Sequence, residues 1–174
     1  LYLKKTHTNG IIKKRIQKMN KFTVLFAVLL LIIPINVYSL EKGKWIFVKD
    51  EDWCYIGSLP LKTDLPENKQ RGDNYILVYK LIGNDENIIQ VEAGYNYNQN
   101  KDIIVKIDKG DYKFYSTTDS PDTAWTDDDS KVIYAMKKGL ELILTGESSR
   151  GTITNDTYTL KGFTAAVNQL NKDC

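Results

Sequence analysis

From Lys44 onward the chain is written in short β-rich runs separated by turn residues, and this rhythm restricts the fold more than any other feature. The runs are KWIFVK (44–49), WCYIGS (53–58), NYILVYKL (74–81), NIIQVEAGY (87–95), DIIVKID (102–108), DYKFYS (111–116), LELILTGES (140–148) and TITNDTYTL (152–160). Strands at such spacing belong to a sandwich or a barrel. Most follow one another with no helix between them, so antiparallel pairing is expected. Alternation puts Ile103, Val105 and Ile107 on one face, and does the same for Leu140, Leu142 and Leu144. DKGD (108–111) reads as a tight hairpin in which Gly110 is free to take a positive φ.

Two helical patterns interrupt the β rhythm. DDDSKVIYAMKKG opens with carboxylates at the positive end of a helix and closes with Lys137 and Lys138 before Gly139. Val132, Ile133 and Met136 form its apolar stripe. In the closing segment Phe163, Val167, Leu170 and Cys174 share one helical face, so the thiol of Cys174 points toward the body of the domain. Cys54 is the other cysteine of the chain. An internal Cys54–Cys174 bond suits an oxidising compartment, the rival being a bridge between chains.

The compartment is read from the N-terminal segment. Seven basic residues and no acidic ones occupy the first 39 positions, and FTVLFAVLLLII (22–33) is followed by Pro34 and NVYS. A basic region, a short apolar core, a helix breaker and small residues make a secretory signal peptide, with cleavage expected after Ser39. The apolar stretch is shorter than the roughly 20 residues a membrane-crossing helix needs, so no span is expected in the mature form, although residues 22–38 could act as an uncleaved anchor. Met19 reads as the start of residues 19–39, the signal peptide, and residues 1–18 as an over-extended N-terminus. The mature domain is then 40–174.

Seven of the 24 basic residues precede position 40, whereas all 22 acidic ones follow it, so residues 40–174 carry 17 basic and 22 acidic side chains, net −5. That balance argues against nucleic acid, whose binding needs many Lys and Arg contacts to phosphate. The single histidine, His7, lies in the part to be removed. Without it there is no Ser-His-Asp or Cys-His nucleophile system and no ordinary catalytic zinc site, and no catalytic residue, metal or cofactor is assigned.

The remaining motifs are weak. RGD (71–73) immediately precedes a strand and reads as a turn entering it rather than as an adhesive tripeptide. Asp119, Asp122, Asp127, Asp128 and Asp129 lack the spacing of a calcium loop, and the last three suit a helix start. Tyr95 and Tyr97 could stack on a sugar from one side of a strand, or fill the sheet. Arg150, in SSRGT (148–152), could receive an anion with neighbouring N–H groups, or mark a hairpin with Gly151 at its bend. A carboxylate pair could hydrolyse glycosides, but nothing in the sequence brings two acids together.

WCYIGSLP, RGDNYILVYK, VEAGYNYN, DTAW, AMKKG and the closing TGESSRGTITNDTYTLKGFTAAVNQLNKDC resemble the invasion-associated locus B family of exported bacterial proteins across essentially all of 45–174. Ser149-Arg150-Gly151-Thr152, Thr157-Tyr158, Leu160-Lys161-Gly162-Phe163, Ala166 and the final cysteine carry the most specific part. The resemblance implies an all-β, immunoglobulin-like antiparallel β-sandwich with two short helices, the second C-terminal. It also implies a periplasmic or surface protein, associated with host-cell entry in some pathogens, with no established enzymatic activity. The function expected is non-enzymatic binding to an envelope or host-surface protein, the oligomeric state being open. The alternatives are a periplasmic small-ligand or glycan binder using Tyr95, Tyr97 and Arg150, and a carboxylate-dependent hydrolase.

Overall fold

The structure, a computed structural model, describes residues 39–174. The expected signal peptide and over-extended N-terminus lie outside the described residues, apart from Ser39, which is exposed. Ten strands and two helices follow: β1 (Ile46–Lys49), β2 (Trp53–Ser58), β3 (Lys62–Thr63), β4 (Tyr75–Leu81), β5 (Ile88–Glu92), β6 (Ile103–Ile107), β7 (Gly110–Phe114), β8 (Thr123–Ala124), α1 (Asp129–Lys138), β9 (Glu141–Glu147), β10 (Ile153–Thr159) and α2 (Phe163–Asp173). They form two five-stranded antiparallel sheets, ordered β1-β2-β4-β5-β8 and β3-β10-β9-β6-β7. Buried side chains from both sheets and both helices make one continuous core, a β-sandwich-like arrangement.

Alternation decides what each strand contributes to that core. Ile103, Val105 and Ile107 are buried along β6, and Leu142 and Leu144 along β9. Leu140 departs from its expected face and is 81% exposed, because β9 begins only at Glu141. In the β9–β10 ladder Leu142 faces Tyr158, Leu144 faces Asp156 and Gly146 faces Thr154. An acid therefore stands on the inner face of β10 between two buried neighbours. In the hairpin joining β6 to β7 the positive φ falls on Asp108, at 49°, and not on Gly110. Asp tolerates this left-handed region better than most residues. The Asp108 carboxylate also accepts from the Leu140 N–H at 3.3 Å.

The helices seat as their stripes require. At α1 the Asp128 side chain accepts from the Lys131 N–H, capping the first turn. Asp129 accepts from the Ile89 N–H at 2.7 Å and ties the helix start to β5. Val132, Ile133 and Met136 are buried below. In α2 Phe163, Val167 and Leu170 are fully buried, and the helix packs on β1, β2 and β4. The Phe163 and Trp45 rings meet edge to face, their centroids 4.7 Å apart, while Trp45 Nε1 donates to the Thr159 carbonyl. Cys174 closes the stripe with a disulfide to Cys54 in β2, Cα to Cα 5.8 Å. No helix among the described residues is long and apolar enough to cross a membrane.

Candidate functional site

Three connections converge at one place: the segment from Leu65 to Arg71 that leads from β3 toward β4, the turn at Gly94–Asn96 after β5, and the β9–β10 hairpin at 148–152. What holds them is Arg71. Its Nη1 donates to Asp156 Oδ2 at 2.7 Å and its Nη2 to Asp156 Oδ1 at 2.5 Å, a two-pronged ion pair with side chains only 6% and 1% exposed. The same guanidinium reaches Thr63 Oγ1 in β3 and the carbonyl of Ala93 just beyond β5, so it links the two sheets. Burial opposes its charge, but the bond to Asp156 and that residue's charge outweigh the burial and hold the guanidinium above its ordinary value. RGD is thus a cross-tie whose arginine is turned inward. The Gly72 N–H donates to the Gly94 carbonyl at 2.9 Å, and a Cβ on Gly94, at φ 70°, would lie 2.4 Å from the Gly72 oxygen.

The two tyrosines separate. Tyr97 is 2% exposed, belongs to the core and pairs by a single bridge with Ser148. Burial pushes its phenol well above the usual value. Tyr95 is half-buried, stands edge-on to Tyr97 at 5.4 Å and shares a 2.8 Å hydrogen bond with Thr154 Oγ1. Burial raises its phenol too, with the Thr154 bond opposing. Both rings pack over Gly146, where a Cβ would come within 2.6 Å of Tyr97 and 2.9 Å of the Tyr95 oxygen. Neither ring projects from a strand, because β5 ends at Glu92.

The hairpin completes the third wall. Gly151, at φ 79°, turns the chain; its N–H donates to the Ser148 carbonyl, and the Thr152 N–H donates to Ser148 Oγ. The Ser149 N–H donates to the Asn96 carbonyl at 2.7 Å, fastening the hairpin to the Tyr95 turn. Opposite, Lys69 Nζ donates to Thr152 Oγ1 at 2.6 Å. Between these walls is an open cleft of about 720 Å³, within the range typical of small-ligand sites. Every charged side chain lining it is cationic: Lys69, Arg71 and Arg150.

The structure therefore brings Tyr95 and Arg150 to one cleft and leaves Tyr97 beneath it, while Cys54 and Cys174 take no part in the lining. Sequence reasoning missed Lys69 and the Arg71–Asp156 pair. One signal was present: in TITNDTYTL, strict alternation puts Asp156 on the same face as Tyr158, and a buried carboxylate demands a cation. Asp128 and Asp129 serve α1, and among the described residues no group of three or more acidic, Cys or His side chains is placed to hold a metal ion.

A crystal structure of invasion associated protein b from Bartonella henselae aligns with a TM-score of 0.48 at 14% identity, covering 72% of this chain and 95% of that one. Among curated proteins no significant match was found. The family model described as invasion associated locus B (IalB) protein matches residues 49–171, from the end of β1 to the last turns of α2. The chain belongs to the invasion associated locus B family.

Proposed function

We propose that this chain is an exported, non-enzymatic protein that works by contact at the cell envelope or outer surface, with an envelope or host-surface protein as its partner. The observation that carries the reading is the family match across 49–171. The intramolecular disulfide fits an oxidising compartment outside the cytosol. The N-terminal segment has the basic, apolar and small-residue order of a cleavable signal peptide. The lining of the cleft supplies cations, amides and hydroxyls, groups suited to holding a polar partner.

The test is in cells. A strain lacking the gene should lose envelope integrity or host-cell entry, and the wild-type gene should restore it. The exported protein should retain a specific envelope or host-surface protein after cross-linking. A strain unchanged in both properties contradicts the proposal. A second reading, a periplasmic small-ligand or glycan binder, is favoured by one observation: Tyr95 and Arg150, widely separated in sequence, meet at the cleft.

A further inference from the structure

We infer that the cleft between the Leu65–Arg71 segment, Tyr95 and the 148–152 hairpin is a binding site for an acidic saccharide, its carboxylate held between Lys69 and Arg150. The inference rests on the ligand-binding reading and gives it a chemical class.

Charge selects the acid. The domain from residue 40 on is net −5, yet all three charged side chains at this cleft are cations. Arg71 is already neutralised by Asp156, so the carboxylate below the floor presents no uncompensated negative charge to a ligand. Lys69 and Arg150 are both exposed and form no ion pair among the described residues. Lys69 rests on the neutral Thr152 hydroxyl, which draws its ammonium toward the hairpin that carries Arg150. A carboxylate entering there meets two cations with a charge-assisted bond available from each.

The rest of the lining selects a saccharide. Asn68, Gln70 and Asn96 present side-chain amides, and Ser149 adds a hydroxyl. A sugar hydroxyl both donates and accepts, as an amide side chain does, so such walls match a ring bearing several hydroxyls. The half-buried Tyr95 ring adds an aromatic surface. Apart from Tyr95 the lining's one large apolar side chain is Leu65, too little to seat an acyl chain or an apolar peptide anchor.

Calorimetry on the disulfide-bonded protein, recovered from the extracytoplasmic fraction of cells expressing the full chain, tests this with trigalacturonate, neutral maltotriose and inorganic phosphate as probes. Trigalacturonate should bind at least about tenfold more tightly than either other probe, and Arg150→Ala or Lys69→Ala should each weaken it about tenfold, roughly one charge-assisted contact. Lys109→Ala, a cation in the β6–β7 hairpin outside the cleft, should change nothing. Unchanged melting temperatures will show that the variants remain folded. Maltotriose binding as tightly as the acid overturns the charged site but leaves the ligand-binding reading standing. Phosphate binding as tightly as trigalacturonate overturns the saccharide class. Binding that survives the double variant moves the site elsewhere, and no binding of any probe overturns the inference.

Discussion

A carboxylate only 1% exposed, as at Asp156, is tolerable because Arg71 meets both of its oxygens. Asp156→Asn leaves the guanidinium buried without its counter-charge, and urea denaturation should show a loss of about 3–5 kcal/mol. Replacing both partners together, Arg71→Met with Asp156→Leu, should lose clearly less, since no charge is then stranded. The alternation of β10 held the signal for a buried Asp156, but it was missed. Its partner lies 85 residues away in a turn whose RGD spelling suggests an exposed arginine, so no local pattern could pair them.

Glu92, at the end of β5, gives a pH test. Burial lifts its carboxyl above the usual range; the Thr123 hydroxyl bond opposes this, and the charge and hydrogen bonding of Asp122 add to the rise. A raised value means that the folded state holds the proton more tightly than the unfolded chain. The contribution to stability is therefore complete below the unfolded value, about 4.3, and is lost as pH climbs through the folded one. Glu92→Gln abolishes that titration while keeping an acceptor for Thr123. Thermal melts from about pH 4 to 7 should show the variant gaining on the wild type as pH rises; a constant difference across that range counts against the burial effect.

Among the elements, α2 is the one fixed twice, by three fully buried apolar side chains and by the bond from Cys174 to Cys54, 120 residues away. A link of that span restricts the unfolded chain by about 5 kcal/mol in the entropy model. Cys174→Ser should lower the melting temperature clearly under oxidising conditions and hardly at all in strong reductant. An equal drop in both would mean that the thiols are unpaired. This helix was legible because its apolar residues recur at helical spacing over a long segment, and Cys174 continued the stripe. β3 and β8, of two residues each, were not legible, since two residues carry no alternation. Strand ends were over-read wherever a β-forming residue continued past the last ladder bond, as at Leu140 and Tyr95.

At the scale of the whole molecule, two sheets share one core, a disulfide holds the last helix to it, and a cationic cleft opens where three loops meet. The rhythm of turns left a sandwich or a barrel, and the family resemblance, most specific in the closing block, implied the sandwich. The cleft was not legible, because Lys69, Tyr95 and Arg150 are brought together by contacts between distant segments, among them the Arg71–Asp156 tie, the Gly72–Gly94 approach and the Ser149–Asn96 bond. We propose that the domain is exported and closed by its own disulfide. Intact-mass measurement of the protein from the extracytoplasmic fraction, without reductant, tests that most directly. The predicted species begins at Leu40, is a monomeric chain, and is lighter by two hydrogen atoms than the same chain with free thiols. A chain retaining residues 19–39, or one with both thiols free, would contradict it.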